Sequence, residues 1–157
     1  MCGIVGIHYF DMQHPLEEDL LRQMTSVIKH RGPDDEGYFV AAGVGFGFRR
    51  LSIIDLATGH QPMTTEGGAH WIVFNGEVYN YLEIKEVLAQ KGHRFRTTSD
   101  TEVILHAYQE YGENCVQHFN GMFAFAIWDV SEHKLFLARD RIGIKPLYYW
   151  LDNEKII

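Results

Sequence analysis

The sequence predicts an α+β domain built on largely antiparallel sheets. Short apolar runs with strand character cluster at both ends of the chain, and helices with clear start signals lie between them. Size sets the bound: 157 residues, 46% hydrophobic and 13% aromatic, fill one core and leave little room for a second.

The elements follow in order. Residues 3–10 are short and apolar and read as a buried strand. Pro15 then precedes Leu16, Leu20, Leu21, Met24, Val27 and Ile28 at helical spacing. Glu17, Glu18 and Asp19 fall in the first turn, where carboxylates complement the helix dipole. His30-Arg31-Gly32-Pro33 ends that helix in a loop. Strands are expected over 37–42 and 44–54, split by Gly43. The run Trp71-Ile72-Val73-Phe74 ends at Asn75-Gly76, a dipeptide suited to positive φ. Asn80 with Glu83, and Ser99 with Glu102, have the capping-box pattern and open two helices that stop at Gly92 and Gly112. Residues 122–130 and 134–138 flank Ser131-Glu132-His133 as a hairpin, and 147–151 read as one more strand. Glu154-Lys155-Ile156-Ile157 starts another, so the sequence reads as one cut within an element. With no repeat, low-complexity stretch or linker, a single domain over 1–157 is expected.

Charge and composition exclude several function classes. A formal net charge of −7 is the wrong sign for a face that neutralises nucleic-acid phosphates. No apolar run is long enough to span a bilayer, and Asp11 interrupts the short apolar start that a signal peptide would need. Two cysteines, Cys2 and Cys115, make no disulfide framework, which points to a reducing cytoplasm. The nine histidines show no ligand spacing, so no metal site is expected. Asp34-Asp35-Glu36 lacks calcium-loop spacing and reads as a solvated loop.

Three groups of residues carry chemistry. Once Met1 is removed, Cys2 presents a thiol beside its own α-amine. That amine has a pKa of about 7.7–8.0, so a useful fraction can accept the thiol proton near neutrality. Asn75 and Gly76 supply an amide side chain and a backbone N–H of the kind that stabilises an oxyanion, and Glu77 beside them can hold an ammonium. Arg50 can grip a carboxylate through two parallel hydrogen bonds, and Asp100 opens a helix. Each has a plain alternative: a frayed terminus for Cys2, a turn for Asn75-Gly76, a first-turn carboxylate for Asp100. Cys115, at a helix end, reads as a packing residue.

Taken together, the segments resemble the glutaminase domain of class II glutamine amidotransferases, in particular that of glutamine-dependent asparagine synthetases. The resemblance rests on Met1-Cys2-Gly3-Ile4-Val5-Gly6, His30-Arg31-Gly32-Pro33-Asp34, Arg50-Leu51-Ser52-Ile53-Ile54-Asp55 and His60-Gln61-Pro62-Met63. It continues through Phe74-Asn75-Gly76-Glu77-Val78-Tyr79-Asn80, Ser99-Asp100-Thr101-Glu102, Arg139-Asp140 and Lys145-Pro146-Leu147-Tyr148-Tyr149, in order along the whole chain. It departs at Phe48, where many such proteins carry histidine, and it lacks the Thr-Arg-Trp-Ala-Thr-His-Gly block of the relatives that make glucosamine phosphate.

The resemblance implies a four-layer αββα N-terminal-nucleophile hydrolase sandwich of two antiparallel sheets. It implies Cys2 as nucleophile and Asn75 with Gly76 as oxyanion hole. It also implies a glutamine pocket in which Arg50 takes the carboxylate, Glu77 and Asp100 take the amino group, and backbone from Leu51, Ser52, Ile53 and Ile54 lines the wall. The expected activity is hydrolysis of L-glutamine to glutamate and ammonia. A C-terminal ATP- and Mg-dependent synthetase domain is the expected partner; this domain itself needs no cofactor, and a homodimer is a further expected association. A glutamine-binding module without turnover, an amidotransferase for a non-aspartate acceptor and a peptidase or acylase on the same fold are the alternatives.

Overall fold

The computed structural model describes residues 2–51 and 59–157. The chain runs β1 (Gly3–Tyr9), α1 (Glu18–Val27), a 3-10 turn (Lys29–Arg31), β2 (Asp35–Ala41), β3 (Val44–Arg50), β4 (Met63–Thr64) and β5 (His70–Val78). It continues with α2 (Tyr81–Gln90), α3 (Asp100–Tyr111), a second 3-10 segment (Gly112–His118), β6 (Gly121–Asp129), β7 (Lys134–Arg139) and β8 (Lys155–Ile156). Two four-stranded sheets result, ordered β2-β3-β1-β8 and β4-β5-β6-β7. Every strand pair is antiparallel.

Alternation along the strands stacks these sheets. In β1, Ile7 and Tyr9 turn toward Leu21 of α1, while Ile4 turns inward. Phe39, Phe46 and Phe48 of the first sheet then meet Val73, Ala126 and Trp128 of the second. The opposite face of the second sheet carries Ile72, Phe74, Phe125 and Ile127 against Ile84 and Leu88 of α2 and Val103, Ile104 and Ala107 of α3. The layers are therefore helix, sheet, sheet, helices. Close approach of α1 depends on Gly47, where a Cβ would run into the Thr25 hydroxyl.

Several expectations need correction. Asn75-Gly76 is no turn: both residues lie inside β5, paired with Ala124 and Phe123. The local preference yields to an unbroken ladder with β6 that ends only at Val78 opposite Gly121. Asn80 does occupy the helix cap position, but its side chain makes no cap bond. Its carboxamide instead accepts from the Asn120 amide (2.9 Å) and donates to the His118 carbonyl (3.0 Å), tying α2 to the start of β6. Ser99 caps α3 by accepting from Thr101 N–H at 3.1 Å. Glu102 does not close the box; it accepts from the amides of Arg96 and Thr97. Asp35 and Glu36 belong to β2 and pair with His60 and Arg49, so only part of that acidic cluster is loop. Residues 147–151 form no regular strand; Leu151 makes a single bridge to Ile156. The short β4 and the 3-10 segment after α3 are additions to the expected elements. Among the described residues no helix is long and apolar enough to cross a membrane.

Candidate active site

The period of two that builds the inter-sheet core also builds the site. Cys2 packs with Ile4 at the inner face, and Arg50 continues the inward row of Phe46 and Phe48 along β3. Its neighbour Arg49 points the other way, bonding the Thr25 carbonyl (3.2 Å) and Glu36 (2.6 Å). On β5, Trp71 and Val73 face inward, and Asn75 and Glu77 continue that row. The rows end together in a cleft of about 110 Å³ that gathers Cys2, Arg50, Leu51, Asn75, Gly76, Glu77 and Asp100. Seven of the ten expected site residues are thus brought together. Ser52, Ile53 and Ile54 lie outside the described residues, as does Met1.

Backbone pins the Cys2 thiol. It donates to the Leu51 carbonyl (3.6 Å) and accepts from the Leu51 amide (3.5 Å). Cys115 has no such setting: fully buried among apolar side chains, its thiol is pushed up to about 12 by desolvation.

Gly76 owes its place to two constraints. A Cβ there would strike the Met122 carbonyl, so only glycine permits the approach of β6. Its N–H direction follows from the strand. Phe74 N–H leaves the outer edge of β5 to the Gln61 side-chain oxygen Oε1 (2.7 Å), and Val78 N–H leaves it to Asp100 Oδ2 (3.0 Å). Gly76 lies two residues from each in a bulge-free register, so its N–H points the same way, into the cleft. Beside it, the Asn75 carboxamide is buried and hydrogen-bonds none of the described residues. Two donors therefore stand at the cleft wall near the thiol, as an oxyanion requires.

Charges of both signs line the cleft, and Arg50 is buried there. Burial raises the Asp35 carboxyl, but the His60 hydrogen bond, the Glu36 amide and the charges of His60 and Arg50 together outweigh it and hold it below its usual value. Asp100 is raised from 3.8 to about 6, first by burial and then by Glu77, against the amides of Val78 and Thr101. A pair of carboxylates, one desolvated, is short of a positive charge, and an ammonium placed between them supplies it. Opposite charges lining one cleft suit the carboxylate and amino group of a free α-amino acid.

Asp100→Asn tests this. A carboxyl whose folded pKa lies above its unfolded value destabilises the fold once ionised. That penalty is absent below pH 4, grows between pH 4 and 6, and is complete above pH 6, about 3 kcal/mol in all. Asparagine keeps the acceptor for Val78 N–H and removes the charge. The variant should melt higher than wild type at pH 7 and equal it near pH 4, while glutamine KM rises about tenfold or more. The wild-type KM should itself rise as pH falls through 6. Thermal melts and steady-state kinetics across pH decide the matter; an unchanged KM returns Asp100 to a structural role.

Gln61, Thr101 and Lys145 also line the cleft and were not singled out from sequence. Gln61 lies in a segment quoted for the resemblance, but nothing in a lone glutamine marks it as buried. Asp140, next to the Lys145 loop, is lowered: burial opposes ionisation, but the amides of Lys145, Ile144 and Phe123 outweigh it.

Comparison with known proteins agrees with this geometry. Residues 1–157 match the model of a glutamine amidotransferase domain. The chain is 51% identical to asparagine synthetase [glutamine-hydrolyzing] 1 of Bacillus subtilis, covering 99% of this chain and 25% of that protein. It is 43% identical to a putative asparagine synthetase [glutamine-hydrolyzing] 2 of Methanocaldococcus jannaschii, covering 100% of this chain and 33% of that one. The chain thus spans a quarter to a third of these relatives. Among solved structures, glutamine phosphoribosylpyrophosphate amidotransferase from B. subtilis superposes over 99% of this chain and 41% of its own, with a TM-score of 0.77 at 21% identity. That likeness bears out the expected αββα fold of two antiparallel sheets stacked between helical layers. With the family model matched from end to end, the chain belongs to the glutamine amidotransferase domain family.

Proposed function

We propose that this chain hydrolyses L-glutamine to L-glutamate and ammonia through a thioester on Cys2. The observation that carries the reading is the convergence, in one cleft, of a backbone-held thiol, two oxyanion donors, the Arg50 cation and the Glu77 and Asp100 carboxylates. With Met1 removed, the Cys2 α-amine takes the thiol proton as sulfur attacks the side-chain carbonyl of glutamine. The oxygen becomes an anion held by Asn75 and Gly76 N–H. The α-ammonium returns the proton to the amide nitrogen, ammonia leaves, and a glutamyl thioester remains. Water adds to the thioester and releases glutamate and the thiol.

The names of the relatives supply the finer reading: the ammonia feeds an asparagine-forming activity carried by the rest of a longer protein. A surface suited to such a partner is present. Tyr148, Tyr149 and Trp150 are exposed beside an apolar groove of about 390 Å³ that Ile4, Leu135 and Ile156 help to line. Two free cysteines fit a reducing cytoplasm. The test is direct. The intact protein should release ammonia and glutamate in equal amounts from glutamine, and hydroxylamine should divert the thioester to the γ-glutamyl hydroxamate. Absence of both products would refute the reading.

A further inference from the structure

The wall that presents Gly76 N–H is assembled from side chains where a strand stops. β4 pairs only Met63 with Ile72 and Thr64 with Trp71. The next positions of that register would set Pro62 opposite Val73 and Gln61 opposite Phe74, but Pro62 has no N–H to give a ladder. The main chain leaves β5 there, and the Gln61 side chain reaches back in its stead. Gln61 is 5% exposed; its Oε1 accepts Phe74 N–H at 2.7 Å, and its Nε2 donates to Thr101 Oγ1 at 3.3 Å. Thr101 adjoins Asp100, whose carboxylate takes Val78 N–H on the far side of Gly76. A closed circuit runs from Phe74 through Gln61, Thr101 and Asp100 back to Val78, with Gly76 N–H at its centre.

We infer that Gln61 is a positioning residue that ties the oxyanion donor to the ammonium-binding start of α3, an inference that rests on the glutaminase reading above. One carboxamide fixes β5 at Phe74 and α3 at Thr101, so the two halves of the substrate site keep one separation. Without it, Phe74 N–H must find water and the start of α3 loses a tie to β5. Oxyanion stabilisation is sensitive to such shifts, because displacement of a fixed donor by an ångström costs rate rather than fold.

The experiment is steady-state glutamine hydrolysis by the intact protein carrying Gln61→Met, Thr101→Val or Thr101→Ser, with circular dichroism to confirm folding. Methionine fills the volume of glutamine and makes neither bond. Gln61→Met should lower kcat by about 10-fold to 100-fold and raise KM several-fold. Thr101→Val, which cuts only the α3 link, should raise KM several-fold and leave kcat within about threefold; Thr101→Ser keeps the hydroxyl and should behave as wild type. A folded Gln61→Met with kcat and KM near wild type overturns the inference, since a purely structural glutamine would change only the melting temperature. If Gln61→Met does not fold, equal kinetics for Thr101→Val and Thr101→Ser overturn it instead. A wild-type protein without glutamine turnover would refute the glutaminase reading and this inference together, whereas an active wild type with silent variants refutes this inference alone.

Discussion

Cys2→Ala should reduce glutamine hydrolysis by about 10⁴-fold or more while the melting temperature stays close to wild type. The substitution removes the attacking sulfur at the edge of the inter-sheet core, where Cys2 is only partly buried and its thiol hydrogen-bonds the Leu51 backbone. Cys115 cannot substitute for it, since burial holds that thiol near 12 and protonated at working pH. A glutamine-analogue electrophile should therefore modify Cys2 alone, and intact mass should show the active protein lacking one methionine. Activity in a protein that retains Met1, or inactivation through Cys115, would contradict the assignment.

Asn75→Ala should lower kcat by about 10²–10³-fold with a much smaller change in KM. Between attack and collapse the glutamine oxygen passes from partial to full negative charge, so a donor already fixed in place helps the second state more than the first. Asn75 is fixed by its position inside β5, between residues paired to β6 and beside the Gln61-capped amide of Phe74. Asn75→Asp should be at least as damaging, because it sets a carboxylate where negative charge must develop. Near-normal kcat in a folded Asn75→Ala would move the oxyanion role to another donor.

Much of this was legible in the sequence, for reasons that differ by element. The β6–β7 hairpin and the ends of α2 and α3 were visible because each is specified locally, by turn residues and glycines. The turn alternative for Asn75-Gly76 fails because the decisive interaction is remote: β6 pairs through both residues, and the glycine, at positive φ, admits the Met122 carbonyl. Ser99 caps α3, but neither capping box closes: Asn80 is recruited by the distant Asn120, and Glu102 by the amides of Arg96 and Thr97 just before the helix. Cys2, Arg50, Asn75 and Asp100 could be named from sequence, but their convergence depends on strand parity in three separated strands and a helix start. The role of Gln61 needed coordinates, since its partners lie 13 and 40 residues away.

The shortness of β4 has a consequence for how such a site is kept. An unpaired strand edge is ordinarily a hazard, a row of free amides on which another chain can template. Here the start of α3 meets that edge and side chains silence the amides of Phe74 and Val78, so that in the function proposed above the Gly76 rung between them serves the substrate. Specificity then comes partly from what the ladder omits, and Pro62 guards the omission by denying β4 the donor it would need to grow.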